Sequence, residues 1–186
     1  MKLFYFDVET TGLSASKHAI HQLSFIIEVD GEEKKRYNYN IRPFEGAEIN
    51  EDALKISNVT KEQINNNELS YKEAFNKLKT VLSYYVDRFN KKDKFFLVGY
   101  NNASFDNHFL RALFLQNGDN YFGSFFWSSP IDVFILASFA RMKERSEMPS
   151  FKLKDTAISF GIEVEESRLH DAIYDVELTR EIFKKL

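Results

Sequence analysis

The sequence predicts an α/β fold in which a mixed five-stranded sheet is flanked by helices. Three consecutive strand-like stretches fill residues 1–41, and short apolar or aromatic runs further along supply the remaining strands. The segments between and after those runs carry apolar residues at helical spacing. This order of elements is typical of a mixed sheet with helices packed against it. We expect residues 1–186 to form a single domain, because a chain of 186 residues can bury one sizeable core.

The first three strands are predicted from hydrophobic patterning. Residues 1–10 form a near-continuous aliphatic and aromatic run, which is typical of a strand buried on both faces. A second strand spans Ile20–Val29 and is followed by Asp30-Gly31, a strong hairpin signal. The return strand, residues 35–41, alternates tyrosine and isoleucine with polar residues, as a half-exposed edge strand does. The second and third strands are therefore expected to form an antiparallel hairpin.

Two later segments complete the predicted sheet. Residues 95–99 form a short apolar run between polar segments, which indicates another buried strand. The aromatic stretch at residues 121–127 is expected to supply the fifth strand.

Capping signals mark the helices in the middle of the chain. Asn50 is expected to cap a short helix that ends at Ile56, and residues 60–63 and 70–73 have the form of capping boxes. The second box opens a long helix that is predicted to reach about Phe89. Its apolar side chains form one stripe at helical spacing and are expected to be core residues: Ala74, Phe75, Leu78, Val81, Leu82, Tyr85, Val86 and Phe89.

The second half of the chain is predicted to be largely helical. Ser104 is expected to cap a helix that runs to about Gln116, and Pro130 is expected to start another. Two more helices are predicted near residues 153–160 and from about Asp171 to the end of the sequence. The basic turn at residues 91–94 is either a solvated turn or a contact for phosphate, and the sequence leaves both interpretations open.

Composition gives limited information about function. The net charge of −3 provides no global sign of nucleic-acid binding, although a local basic patch or a metal cluster can do the same work. The absence of cysteine excludes disulfides and thiolate metal sites. No apolar stretch approaches the length that spans a membrane, and the N-terminus lacks the form of a signal peptide. We therefore expect a soluble, cytoplasmic protein.

Two carboxylates interrupt the first strand near its end. Asp7 and Glu9 are two residues apart, so their side chains project to the same side of the strand. Adjacent carboxylates repel each other unless a positive charge lies between them, and a divalent cation with oxygen ligands satisfies both. The alternative is a pair of solvated charges at the end of a strand.

Three further polar residues are brought towards this pair by the predicted layout. Asp106 lies in the first turn of the helix after the 95–99 strand, and His170 and Asp175 lie at the start of the last helix. Each also has an ordinary explanation, because acidic residues are favoured in the first turn of a helix and most histidines are surface or structural residues. If each of these residues is explained separately, however, the spacing of the four carboxylates and the histidine is only a coincidence.

Three ordered segments resemble the motifs of a known family. Residues 6–13 (FDVETTGL), 102–106 (NASFD) and 170–175 (HDAIYD) resemble the three motifs of the DEDDh family of 3′-5′ exonucleases, of the exonuclease I and polymerase III epsilon proofreading type. The resemblance spans nearly the whole chain. Where many members have His-Gly, this chain has Ser57-Asn58, so different substrate contacts are expected there.

The resemblance implies a ribonuclease H-like fold and a two-metal mechanism. It implies hydrolysis of single-stranded nucleic acid from the 3′ end, with DNA favoured and nucleoside 5′-monophosphates released, and Mg²⁺ or Mn²⁺ as the two divalent cations. Asp7 would bridge the ions, while Glu9 and Asp175 would bind the ion that holds the attacking water. Asp106 would act on the second ion, partly through water, and His170 would accept the proton of the attacking water.

The same resemblance suggests the substrate contacts and the partners. Backbone groups of Thr10 and Thr11 would hold the terminal 3′-hydroxyl, Leu13 and Phe105 would flank the last bases, and Asn102 would also contact the substrate. Alternatives are an exoribonuclease, a catalytically silent nucleic-acid-binding module, which is expected to lack one of the carboxylates, and a proofreading subunit bound to a polymerase or another replication or repair protein.

Overall fold

The computed structural model of the chain describes residues 1–169 and 171–186 and has an α/β fold. Five strands form one mixed sheet: β1 (Lys2–Thr10), β2 (Ile20–Val29), β3 (Glu32–Asn40), β4 (Phe96–Gly99) and β5 (Ile131–Asp132). The α-helices of the described residues are α1 (Glu51–Ile56), α2 (Lys61–Asn65), α3 (Tyr71–Tyr85), α4 (Asp106–Gln116), α5 (Phe122–Phe125), α6 (Val133–Ala140), α7 (Leu153–Ser159) and α8 (Ala172–Lys185). The predicted fold class, a mixed five-stranded sheet flanked by helices, is confirmed.

The central strand of the sheet is β1. The strand order is β3-β2-β1-β4-β5, and β1 pairs antiparallel with β2 and parallel with β4. Phe4 and Phe6 pack into a core that includes side chains of α3, α4 and α5, whereas Leu3 and Tyr5 pack into a core that includes side chains of α6, α7 and α8. The alternating side chains of β1 thus bury both faces of the sheet, which explains the near-continuous apolar run in the sequence.

The predicted hairpin between β2 and β3 is present. Asp30 and Gly31 both have positive φ values, 53° and 84°, as a tight two-residue hairpin turn requires. The pairing continues up to this turn, with Val29 opposite Glu32. For this reason β3 begins at Glu32, three residues before the predicted start.

The long helix α3 ends earlier than expected. Its capping box at Ser70 and Glu73 is present, but the helix ends at Tyr85 rather than near Phe89. Val86 has an extended backbone conformation, φ −122° and ψ 123°, and reaches the core from there. The placement of Phe89 in the core was wrong, because its side chain is 84% exposed in the following loop.

The fifth strand lies elsewhere than predicted. Residues 121–127 contain the short helix α5, and Phe126 makes only an isolated bridge with Phe95. The strand is Ile131–Asp132, which pairs parallel with the end of β4. Helix α6 therefore begins after Asp132, whose carboxylate caps it by accepting from the Phe134 N–H, and not at Pro130.

Helix α4 also begins differently from the prediction. It begins at Asp106 with no side-chain cap, because the Ser104 hydroxyl donates instead to the Asn101 carbonyl. Its end at Asn117-Gly118 agrees with the sequence, since Gly118 has a φ of 74°. Within residues 1–169 and 171–186, no helix combines the length and apolar character needed to cross a membrane.

Candidate active site

Three carboxylates meet at the end of β1. Asp7 and Glu9 lie opposite Ser24 and Gln22 of β2, and their side chains share one side of the strand. Together with Asp175 they each offer one oxygen atom, and these three atoms lie within 4.8 Å of one another. The structure thus brings together carboxylates that are up to 168 residues apart in the sequence.

Asp175 reaches this site because α8 packs against the sheet. The helix begins at Ala172, after Asp171, as predicted. The apolar side chains Val176 and Ile182 belong to the same buried cluster as Leu3 of β1, and this fixes the rotation of the helix about its axis. The first turn of α8, which carries Asp175, therefore lies beside the carboxyl end of β1.

Asp106 adds a fourth carboxylate. It is the first residue of α4, is only 6% exposed, and its Oδ1 accepts a hydrogen bond of 3.2 Å from the Val8 N–H. Since Val8 lies between Asp7 and Glu9 in β1, this bond fixes Asp106 next to the pair.

The electrostatics of the site favour a bound cation. Burial, and then the negative charges of Asp106, Glu9 and Asp175, raise the pKa of Asp7 well above its usual range. Burial also raises the pKa of Asp106 to about 7, even though hydrogen bonds from backbone N–H groups oppose the shift. Clustered, partly desolvated carboxylates of this kind are the oxygen ligands that Mg²⁺ and Mn²⁺ prefer. The residues present therefore fit a divalent metal site.

One contact with the cluster was not predicted. The Ser57 hydroxyl donates a hydrogen bond to Glu9 Oε2. Ser57 follows the last residue of α1, and the next residue, Asn58, has a φ of 52°. The sequence marks Ser57-Asn58 as a departure from the family pattern, but it contains no signal for a contact with Glu9.

A groove lies next to the carboxylates. It has a volume of about 340 Å³ and is lined by the loop after β1 and the start of α4, including Leu13, Phe105 and His108. The Leu13 side chain is 82% exposed, and the half-buried Phe105 ring packs against Phe109 with 4.9 Å between the ring centroids. Both apolar side chains predicted to flank the bases thus line one surface.

Thr10 ends β1 and Thr11 follows it in the loop, and both residues are buried. The Thr11 N–H donates to the Ala19 carbonyl and the Thr11 carbonyl accepts from the Asn50 N–H, both at 2.8 Å. The Thr10 hydroxyl donates to the Gly12 carbonyl at 2.7 Å. The backbone of Thr11 is therefore already used to build the loop.

Asn102 lies in the interior. Its side chain is fully buried, and a Cβ atom added to Gly99 would lie 2.6 Å from the Asn102 Cβ. The close packing of these two residues shapes the turn between β4 and α4. The contact of Asn102 with the substrate stays a prediction, made for a side chain that is buried in this structure.

Asp132 also holds the turn between β4 and α4, a role that the sequence did not predict. The buried Asp132 carboxylate accepts hydrogen bonds from the N–H groups of Asn101 at 2.9 Å and Ala103 at 3.3 Å, in addition to its cap of α6. Asn101 has a φ of 59°, a conformation that non-glycine residues rarely adopt. Asp132 thereby fixes the segment that leads into Phe105 and Asp106.

The predicted general base, His170, lies outside the described residues.

Comparisons with known proteins identify the family of the chain. The model of the Exonuclease family (RNase_T) matches residues 4–183. The chain is 30% identical over 179 residues to a PolC-type DNA polymerase III of Pediococcus pentosaceus, covering 96% of this chain and 11% of the polymerase. It is 28% identical over 188 residues to ribonuclease T of Haemophilus influenzae, covering 95% of this chain and 75% of that protein. A ribonuclease T of Shewanella is 26% identical over 182 residues, with 95% and 78% covered.

Solved structures show the same fold. Escherichia coli exonuclease I in complex with a dT13 oligonucleotide matches with a TM-score of 0.77 and 19% identity, covering 98% of this chain and 40% of that chain. Its zinc-bound form in complex with single-stranded DNA matches with a TM-score of 0.78 and 20% identity, covering 98% and 39%. The chain thus spans about two fifths of the exonuclease I chain and a small part of the polymerase. The ribonuclease H-like fold expected from the sequence motifs is confirmed.

Proposed function

The chain belongs to the Exonuclease (RNase_T) family, and from this membership we propose that it is a metal-dependent 3′-5′ exonuclease. It would shorten single-stranded nucleic acid, with DNA favoured, and release nucleoside 5′-monophosphates. The observation that carries this proposal is the meeting of Asp7, Glu9 and Asp175 within 4.8 Å, with Asp106 bonded to the backbone between the first two.

The carboxylates are the proposed ligands of two divalent cations, Mg²⁺ or Mn²⁺. Asp7 is the best candidate to contact both ions, because the charges of Glu9, Asp106 and Asp175 all act on it. When bound, such ions would acidify the attacking water and neutralise charge on the leaving oxygen. The protein's own contribution is to hold these oxygens in a fixed array, through the strand pairing of β1 and the packing of α8.

His170 is the proposed general base. The family resemblance of residues 170–175 supports this role, in which an imidazole nitrogen accepts the proton of the attacking water. A positioned base of this kind contributes roughly 10²–10⁴-fold to the rate.

Leu13 and Phe105 are the proposed contacts for the terminal bases. Their position in one groove beside the carboxylates supports this assignment. Apolar and aromatic contacts with bases tolerate any sequence, as an exonuclease requires. For the 3′-hydroxyl, backbone groups of Thr10 and Thr11 are the proposed contacts, because both residues lie at the end of β1 next to Glu9.

The names of the relatives point to two different substrates, DNA and RNA. Similarity to a DNA polymerase supports a DNA substrate and association with a polymerase or another replication or repair protein. Similarity to ribonuclease T, over three quarters of that protein, favours an exoribonuclease as the second candidate. RNA and DNA differ at the terminal sugar, where a 2′-hydroxyl can be recognised.

The test is hydrolysis of end-labelled strands. The purified protein is incubated with 5′-labelled and 3′-labelled DNA and RNA oligonucleotides of one sequence, with Mg²⁺ or with EDTA, and Asp7→Asn is the matched control. We expect 5′-labelled strands to shorten progressively, 3′ label to be released as mononucleotide, and neither to occur in EDTA or with the variant. A strand with a 3′-phosphate should resist. Nicking of circular single strands, or binding without hydrolysis, would refute the proposal.

A further inference from the structure

A second charged surface lies outside the carboxylate site. It consists of the exposed side of α4, the start of α5 and the loop after α3, and it carries cations beside aromatic rings. We define the cation–ring track as His108, Arg111, Tyr121, Arg88 and Phe89, each of which is exposed to solvent.

The residues of the track form a series of contacts. The Arg111 guanidinium lies 4.6 Å from the centroid of the Phe122 ring, directly after Tyr121 in the chain. The Arg88 guanidinium lies 5.7 Å from the Tyr121 ring and 5.1 Å from the Phe89 ring. Tyr121 is 61% exposed and Phe89 is 84% exposed, so both rings present surface that no part of the described chain covers. In cation–π contacts of this kind, each guanidinium lies over the face of an aromatic ring, so cations and rings are held together at the surface.

The segment that contributes Arg88 and Phe89 to the track differs in charge from the whole chain. Residues 79–94 contain five lysines or arginines and two aspartates, a net charge of +3, whereas the chain as a whole has −3. One of those aspartates, Asp93, pairs with Lys2. The nearby Asp119 pairs with Lys79. Helix α4 contains a single acidic residue, the buried Asp106, so its exposed side carries no negative charge.

The track begins at the candidate active site and leads away from it. His108 lines the groove that also contains Leu13 and Phe105, and Arg111 lies about one turn further along α4. At the other end, the loop after α3 lies near the start of β1, because the Lys2 ammonium donates to the Tyr85 carbonyl.

The two ends of the track follow Val86 and adjoin Phe109, and both of these residues belong to the cluster on one face of the sheet. Phe109 and Phe122, which lie under it, are part of one buried cluster. The length of β1 gives the approximate distance between the two ends of the track, since one end lies near Lys2 and the other near Asp7. At about 3.3 Å per residue, this distance is on the order of 17 Å.

We propose that the cation–ring track binds the 5′ portion of a single strand whose 3′ end occupies the carboxylate site; this inference rests on the proposed exonuclease function. Cations that neutralise phosphates and rings that stack on bases are the general means of binding single strands without sequence preference. If the strand keeps its bases stacked at ~3.4 Å per nucleotide, as in a duplex, a length on the order of 17 Å corresponds to roughly five nucleotides. The track therefore acts on strands longer than about six nucleotides, and shorter strands do not reach its end.

The experiment compares two oligothymidylates, of about 25 and about 5 nucleotides. The long strand can occupy the whole track, whereas the short strand does not reach its far end. The variants are Arg88→Ala, Arg111→Ala and the double variant, and the control is Lys143→Ala, which removes an exposed cation after α6 on the other face of the sheet. KM and kcat are measured with Mg²⁺, and binding is measured by fluorescence anisotropy across a salt series.

We expect the double variant to raise KM and Kd for the long strand about tenfold, with kcat and all values for the short strand within about twofold of wild type. The slope of log Kd against log salt should decrease by roughly 0.7 for each lost phosphate contact. The control should change nothing. Equal losses on both lengths, or no loss on the long strand, would overturn the proposal. If the wild type hydrolyses neither strand but binds the long one through Arg88 and Arg111, the track is retained and the exonuclease function is refuted.

Discussion

The hydroxyl of Ser57 donates a hydrogen bond to Oε2 of Glu9 and so connects the end of α1 to the carboxylate cluster. Ser57 is half-buried, and the residues after it are held by backbone bonds from Asn58 to Lys55 and from Val59 to Leu54. One oxygen of Glu9 is thereby fixed by the protein itself. Loss of a hydrogen bond that orients a metal ligand commonly lowers metal affinity or activity by about 10–100-fold.

The first prediction follows from this bond. Ser57→Ala should raise the Mg²⁺ concentration needed for half-maximal exonuclease rate by about tenfold, because Glu9 loses a fixed orientation. Ser57→Thr keeps the hydroxyl and should stay within about threefold of wild type. Mg²⁺ titrations of the rate, and of the thermal unfolding midpoint, measure the change. An unchanged Mg²⁺ requirement in Ser57→Ala would show that the contact has no part in positioning Glu9.

A second prediction concerns Asp7. Asp7→Ala should abolish cleavage and leave the metal-free protein as stable as wild type or slightly more stable, because repulsion with Glu9, Asp106 and Asp175 is removed. Oligonucleotide hydrolysis at saturating Mg²⁺ and urea unfolding in EDTA test the two parts. Near-normal turnover in the variant would rule out the assignment of Asp7 as a metal ligand.

The third prediction concerns stability against pH without metal. The pKa of Asp106 is about 7 in the folded protein, above the usual value of about 4 in an unfolded chain. Between these values the folded state binds more protons than the unfolded state, so the free energy of unfolding should fall as pH rises. The raised pKa of Asp7 acts in the same direction.

Thermal unfolding in EDTA between about pH 4 and 8 tests this expectation. The fall should be smaller in Asp106→Asn, which has no proton to lose at this position. Mg²⁺ should stabilise the wild type most near the upper end of the range, where the carboxylates are charged. A free energy of unfolding that rises through this window in EDTA would contradict the prediction.

A fourth prediction concerns His170. A water on a divalent ion is already acidified, so loss of the base should slow the reaction by roughly 10²–10⁴-fold without removing the metal. His170→Ala should therefore bind Mg²⁺ and a single strand as wild type does, and part of the lost rate should return at higher pH. Single-turnover rates and strand affinity across pH test this role. A variant that loses affinity as much as rate would indicate a substrate contact instead.

Local signals explain which elements the sequence could predict. The bounds of β2 match the prediction because a hydrophobic run ends at a turn, Asp30-Gly31, whose φ values only a few residue types adopt readily. The capping boxes of α2 and α3 involve residues three apart and are equally local. The shared direction of Asp7 and Glu9 follows from the period of a strand.

Long-range packing explains the rest. Residues 121–127 favour a strand locally, but α5 buries Phe122 and Phe125 against the Phe114 ring, so tertiary contacts override the propensity. Val86 ends α3 because its side chain reaches the core from an extended backbone. The bond from Ser57 to Glu9 joins residues 48 apart, and no local pattern encodes such a contact.

The last prediction concerns Asp132, which holds the turn that leads to Asp106. Its side chain holds the N–H groups of Asn101 and Ala103, and these residues lie just before Phe105 and Asp106. Asp132→Asn keeps the size but replaces one acceptor oxygen with a donor, so a partly buried N–H is left without its partner. The cost is about 1–3 kcal/mol of unfolding free energy, and kcat should fall because Asp106 is less firmly placed.

Stability loss alone does not distinguish a positioning residue from any buried aspartate, so Asp119 serves as the matched control for Asp132. Its carboxylate is equally buried and accepts from the Tyr121 N–H at 2.7 Å, but it lies beyond the end of α4 that is remote from Asp106. Asp119→Asn should lower the unfolding midpoint similarly and leave kcat on a five-nucleotide strand near wild type, whereas Asp132→Asn should lower both. If both variants keep wild-type kcat below their unfolding midpoints, Asp132 stabilises the fold and does not position Asp106 for the reaction.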